Sequence, residues 1–334
     1  IPANGVEVML ITITVCARDA EDWVDDCLSS LCSQDYRPLQ IIAVDDGSND
    51  GTLERMQSFL PPPESDLELL VLTQERIGLS AGRNRAVNEA TGEWIAITDI
   101  DCRPDSHWIS TMLAQLSDLD GEYVVALTGR TVFDEGSSRI SRLRSKTIAK
   151  KYANRDKFAS LANGPCSMFR ADMLRSIGGF SPDWFHAEDM EVSIRIIQNG
   201  GSILYVPEAT VKHVAEEGLL RFLKKRYRDA RAHFRIVRRY GFRGIQTPRK
   251  PMVKHDFISD GAVISLLLPM LGLWLLAAKL LWPDYPTIAM FCVLVEILLL
   301  AIPWSRIRIL WSAAIWFGVG QGIIDAIFGR AGHR

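Results

Sequence analysis

"EWIAITDIDCRPD", residues 93–105, sets a short apolar run against three carboxylates, Asp99, Asp101 and Asp105, where a buried strand should end. Upstream the same grammar repeats. "VEVMLITITV" is β-branched, and "EDWVDDCLSSLCSQ" follows with Trp23, Val24, Cys27, Leu28 and Leu31 at helical spacing. "PLQIIAVDDGSNDGT" predicts a second strand closing in Asp45, Asp46 and Gly47, ahead of a helical "TLERMQSFL". "LELLVLT" predicts a third strand, "SAGRNRAVNEA" a helix and "EWIAIT" a fourth strand. This alternation predicts an α/β fold with a mostly parallel sheet flanked by helices. In such sheets ligands bind beyond the carboxyl ends of the strands, so Asp45, Asp46, Asp99 and Asp101 should share one rim.

With 334 residues, 48% apolar and 23% charged, the chain can bury a full catalytic core and still supply an appendage. The formal net charge of −2 hides a basic stretch between Arg221 and Lys254. Six cysteines show no C-x-x-C pair and no metal-like spacing, which argues against a zinc site or a disulfide framework and for a reducing compartment.

Two carboxylates flanking one residue at a strand end can turn hard oxygens toward Mg²⁺ or Mn²⁺, ions that bridge protein carboxylates to substrate phosphates. Asp105 reads instead as a cap for the helix starting near His107. In "HAEDMEVSIRI", Glu188 and Asp189 complement the dipole of a helix start, and a carboxylate there can also take a proton from an acceptor hydroxyl.

Four stretches in order, "ARDAEDWVDDCLSSLCSQ", "IIAVDDGSNDGT", "GLSAGRNRAVNEATGEWIAITDID" and "GGFSPDWFHAEDMEVSIRIIQNG", resemble the family 2 glycosyltransferases. These are inverting enzymes of the Rossmann-like GT-A fold that use nucleotide-diphosphate sugars. The resemblance implies that Asp46 bonds the nucleotide base, that Asp45 shapes the same pocket, and that Ala17, Arg18 and Asp19 line its floor. The family often has Asn where this chain has Asp19. Asp99 would face the ribose and, with Asp101, the metal, and Arg83 would lie near the diphosphate. The Glu-Asp motif falls on Glu188 and Asp189, with Asp189 as general base. Some members add a histidine ligand after the last strand, which falls on His213. Residues 163–174, "NGPCSMFRADML", lie where the family contacts donor sugar and acceptor.

Beyond His213, "LLRFLKKRYRDARAHFRIVRRYGFRG" mixes cations with apolar residues at helical spacing, as a helix on an anionic lipid surface does. Nucleic acid is the rival partner for such a helix. Two apolar runs decide for the membrane, "DGAVISLLLPMLGLWLLAAKLLW" and "TIAMFCVLVEILLLAIPW", each near the roughly 20 residues a span needs. "ILWSAAIWFGVGQGIIDAIFG" is a weaker third run, either spanning or interfacial. The expected organisation is a catalytic domain over 1–215, a basic interfacial segment over 216–256 and a membrane region over 257–334 with two or three transmembrane helices. The positive-inside rule puts the catalytic domain on the cytoplasmic side of a multi-pass membrane protein.

The expected activity is metal-dependent, inverting transfer of a sugar from a nucleotide-diphosphate sugar to a hydroxyl acceptor such as a lipid-linked saccharide. A processive polysaccharide synthase would show Q-x-x-R-W, whereas this chain has "LKKRY" with Leu223 and Tyr227 at the outer positions. A polyprenyl-phosphate sugar synthase would not need the Glu188 and Asp189 pair, and a non-catalytic nucleotide-binding scaffold would not need the full carboxylate set.

Overall fold

The computed structural model describes residues 9–63, 66–117, 122–184, 186–248, 252–255 and 260–330. Strands and helices alternate from the start: β1 (Ile11–Ala17), α1 (Val24–Cys32), β2 (Leu39–Asp46), α2 (Thr52–Ser58), β3 (Leu67–Gln74), α3 (Leu79–Glu89) and β4 (Trp94–Asp99). β5 (Cys102–Pro104), α4 (Trp108–Ala114), β6 (Val124–Phe133), α5 (Arg139–Ala153), β7 (Phe158–Ala159), β8 (Ser167–Arg170) and α6 (Ala171–Ser176) follow. α7 (Glu188–Gln198) and β9 (Ser202–His213) complete the sheet-bearing part. The part of the first apolar run before Met9 lies outside the described residues.

The sheet runs β3-β2-β1-β4-β8-β6-β9-β5, with β7 paired to β9. β3, β2, β1 and β4 are mutually parallel, and every residue of β1 and β2 is buried. That burial on both faces explains why these strands read as unbroken apolar runs. The second half is mixed. β8 lies antiparallel between β4 and β6, β9 runs parallel to β6, and β5 closes the edge antiparallel to β9. The parallel expectation therefore describes the half made of β3, β2, β1 and β4, and the mixed half follows from β8, a four-residue strand that enters between two parallel neighbours.

α1 turns Val24, Cys27, Leu28, Leu31 and Cys32 onto a core shared with Ile11, Ile13, Val15, Ile41 and Trp108. Burial of each such side chain contributes roughly 1.5–3 kcal/mol. Asp105 acts just ahead of α4 rather than as its cap residue: its carboxylate accepts from the His107 N–H at 3.1 Å and its carbonyl from the Trp108 N–H at 2.9 Å.

The chain forms two compact units. Among the described residues, one runs to Glu216 and takes in Tyr240 to His255; the other holds 217–239 and 260–330. The stretch 216–256, expected as one module, divides between them. α8 (Leu219–Tyr240) makes up most of the first part of the second unit, joined by α9 (Asp260–Ser265), α10 (Leu267–Leu281), α11 (Pro286–Ala301) and α12 (Pro303–Ile327). Val263–Leu281 and Pro303–Ile327 are long and apolar enough to cross a membrane, whereas α11 has only 16 residues. By helix length alone, the third run exceeds the second. Ile302 sits extended before Pro303, as a residue preceding proline prefers, and this cuts the second run short while the third runs on for 25 residues.

Candidate functional site

The carboxyl ends of β1 and β2 are tied together by their own polar side chains. The Asp19 N–H donates to Ser48 Oγ at 3.0 Å, and the Asp19 carboxylate accepts from the Asn49 N–H at 2.9 Å. Asp19 has a left-handed φ of 48°, a conformation in which Asp and Asn are enriched. Ala17 is buried beneath this bridge, and Arg18 pairs with Asp19 at 3.5 Å. Asp45 accepts from the Ser48 N–H and from the Thr73 hydroxyl. Asp46 is buried and receives the Ile77 and Gly78 N–H groups at 2.9 and 3.0 Å and the Gln74 amide at 2.7 Å. It therefore shapes the turn into α3, where Gly78 has φ 109°.

Arg83 shows the largest departure from a solvated helix residue. α3 presents it inward, 2% exposed, with Nη2 2.9 Å from Asp99 Oδ1 and Nη1 2.8 Å from Glu188 Oε1. Its guanidinium also lies 5.3 Å from the centre of the Phe180 ring. One cation thus joins the first aspartate of D-x-D to the first acid of the Glu-Asp pair. Burial works against its charge, but Glu188 and Asp99 hold its pKa above the ordinary arginine range. Gly164 makes room for it, since a Cβ there would stand 3.0 Å from Nη2.

Asp101 faces a different partner. Its Oδ2 lies 3.4 Å from His213 Nε2, and β5 pairing with β9 brings the two together. His213 Nδ1 is 2.8 Å from the Val214 carbonyl, which can only accept, so Nδ1 carries the proton. A backbone carbonyl fixing one ring nitrogen is the usual support of a metal-bound histidine, and Nε2 and Oδ2 lie close enough to share one cation. Phe133 stacks on the His213 ring with centroids 4.2 Å apart, and Arg144 lies over Phe133. Among the described residues, Asp101, Cys102 and His213 form the one three-residue group with ligand atoms within 4.8 Å. The Cys102 thiol donates to Asp101 Oδ1 at 3.7 Å, so the donor set fitting Mn²⁺ or Mg²⁺ is the carboxylate and the imidazole.

α7 begins with the two acids, and its first turn differs at each. Glu188 is buried on Arg83. Asp189 is half-buried, accepting from the Met190 N–H at 2.8 Å and the Gly164 N–H at 3.2 Å. Ala187 ahead of them has φ 60°, an uncommon strain for a non-glycine residue, of a kind that gathers at functional sites. Burial pushes Glu188 up to about 7, opposed by Arg83 and reinforced by Asp189. Burial likewise raises Asp189, with Arg83 and the two N–H donors pulling it down. A carboxyl raised in the folded state binds more protons there than in the unfolded chain, so stability falls as pH rises through that interval. The melting temperature should therefore decline between about pH 4.5 and 7, and Glu188→Gln should flatten that decline in melts run across the range.

The stretch 163–174 braces the start of α7. Asn163 accepts from Thr131 Oγ1 and the Cys166 N–H and donates to Thr128 Oγ1 and the Gly129 carbonyl, which sets the turn whose Gly164 N–H holds Asp189. Two further supports escape sequence reasoning. Asn84 clasps Phe180 through both its N–H and its carbonyl at 2.7 Å, and Ser80 donates to the Trp184 carbonyl at 2.8 Å. Both follow the same face of α3 as Arg83, and that i, i+3, i+4 spacing is the signal that could have found them.

The family model for glycosyl transferase family 2 matches residues 12–178. Among relatives, glycosyltransferase GlyA of Streptococcus pneumoniae is 30% identical over 115 residues, which is 34% of this chain and 16% of that protein. Glycosyltransferase AglE of Haloferax volcanii is 24% identical over 221 residues, 66% of this chain and 71% of the relative. This chain thus spans a small part of GlyA and most of AglE. Among solved structures, the mannosyltransferase PcManGT from Pyrobaculum calidifontis, in complex with GDP-Man and Mn²⁺, superposes with a TM-score of 0.70. Its identity is 21%, with 94% of this chain and 87% of that one covered, so the likeness establishes the fold.

Proposed function

The chain belongs to glycosyl transferase family 2 and is a glycosyltransferase, and from that premise we propose metal-assisted, inverting transfer from a nucleotide-diphosphate sugar to a hydroxyl acceptor at a membrane surface. The observation that carries this reading is the approach of Asp101 Oδ2 to His213 Nε2 at 3.4 Å, on the rim that also holds Asp46 and Asp99. When bound there, Mn²⁺ or Mg²⁺ supplies charge neutralisation for the diphosphate leaving group.

The chain's own groups do the rest. Asp19, Asp45 and Asp46 shape the nucleotide end. Glu188 is committed to Arg83, so the carboxylate left to accept the acceptor's proton is Asp189, whose burial raises its basicity. Arg83 holds Asp99 and Glu188 in one plane of reach, and its contact with donor phosphate is indirect. A cavity of about 750 Å³ between α5, β6 and β9 has Arg130, Arg155 and Lys157 among its lining residues, polar groups that could meet a saccharide. The exposed apolar helices α10 and α11 and the basic α8 support a lipid-linked acceptor, anionic lipids as surface partners and a cytoplasmic catalytic unit.

The test is Asp101→Ala, followed by calorimetry with a panel of nucleotide sugars in Mn²⁺ and in EDTA. Donor affinity should fall in Mn²⁺ and change little in EDTA, because a lost ligand matters only when the ion is present. Equal losses in both would remove Asp101 from the metal site.

A further inference from the structure

α12 has the length and apolarity of a membrane span, yet within its own compact unit it lies along the most cationic helix of the chain. The packing contacts at Trp311, Gly318 and Gly322 advance in step from the amino to the carboxyl end of both helices. Trp311 meets Phe222 edge-on with centroids 5.1 Å apart. Gly318 sits against Tyr227 and Ala230, and Gly322 against Phe234: an added Cβ would come within 2.3 Å of the Tyr227 carbonyl and 2.9 Å of the Phe234 ring. Asp325 then receives Arg231 Nε at 2.5 Å and the Gln321 amide at 3.0 Å. Glycines four residues apart permit this close approach. The two helices therefore run side by side and parallel for roughly 17 Å, at about 1.5 Å per residue.

α8 carries nine Lys and Arg residues in 22 positions, Arg221 to Arg239, and cannot cross hydrocarbon. A helix fastened lengthwise to it shares its plane. On the side of α12 turned away from α8, Leu310, Phe317 and Ile324 are exposed at heptad spacing, 43%, 72% and 42%. Building on the membrane reading above, we propose that α12 lies in the plane of the bilayer surface beside α8. The Leu310, Phe317 and Ile324 stripe takes the lipid acyl chains, and only the α10 and α11 hairpin enters the bilayer. This arrangement places Arg306, Arg308 and Arg330 on one side of the membrane and gives Asp325 and Gln321 a partner outside hydrocarbon.

The experiment uses the full chain in vesicles of phosphatidylcholine and phosphatidylglycerol. Nitroxides are attached through Leu310→Cys, Phe317→Cys and Ile324→Cys, one at a time in a Cys292→Ser background; the other five cysteines are buried. Immersion depth is read from collision with oxygen and with a nickel chelate. A flat, shallow profile across the three sites is expected, and it does not depend on the orientation of the protein in the vesicle. A profile with Phe317 deepest and both flanks near the surface would overturn the in-plane assignment. Sites that all collide freely with the nickel chelate, with the chain released by alkaline carbonate, would instead overturn the membrane reading itself.

Discussion

Asp189→Asn should bind the donor about as well as the parent chain and transfer sugar roughly 10² to 10⁴ times more slowly, the usual range for a lost general base. The carboxylate accepts from two backbone N–H groups, and burial raises its affinity for a proton, which suits it to receive one from an acceptor hydroxyl. Asn retains one acceptor oxygen and the shape of the side chain, but it cannot take a proton at neutral pH. The experiment pairs donor calorimetry with product formation at saturating Mn²⁺. Retained transfer would take the base role away from Asp189 and favour a phosphate acceptor, which needs no base. Lost donor binding would mark the carboxylate as structural.

The second large effect is expected at Arg83. Arg83→Met keeps the length of the side chain and removes the cation shared by Asp99 and Glu188, leaving two carboxylates facing a buried gap. Breaking one partner of a buried ion pair typically costs about 3–5 kcal/mol, and the remaining acid relieves part of that by protonating. Thermal melts should show a large drop for Arg83→Met, and the double variant Arg83→Met with Glu188→Gln should recover part of it. The recovery is the non-additivity expected of groups in direct contact. Additive losses would show that Arg83 and Glu188 act independently. Arg83→Lys should also fall short, since a single ammonium cannot fork between two carboxylates.

The rim was legible because its carboxylates end strands whose apolar runs are local: β1, β2 and β4 are buried on both faces, and Asp45, Asp46 and Asp99 are their last residues or adjoin them. The other half of the sheet was not legible to the same degree. β8 and β5 have four and three residues, too few to show a period, and their direction is decided by partners distant in the chain. Arg83 illustrates the same limit. "AGRNRA" shows small neighbours and a cation, but the two acids that bury it come from β4 and α7. His213 is legible only through family resemblance; its pairing with Asp101 depends on a strand contact that no local pattern encodes. In α12, Gln321 and Asp325 interrupt the apolar run, and those are the residues that fasten it within its unit.

The pairing of β5 with β9 also bears on how the chain is made. Asp101 leaves the ribosome with the first half of the sheet, while His213 ends the last strand, roughly a third of the chain later. Contacts of such separation pay their loop-closure entropy late, and chains fold from the amino end during synthesis. The strands from β1 to β4 can assemble their parallel core as they emerge, and with it the rim that carries Asp45, Asp46 and Asp99. The Asp101 and His213 pair cannot exist until β9 docks, so a nascent or truncated chain ending before Val211 has that rim without the imidazole. At the proposed metal site, the order of translation would delay loading until β9 has docked.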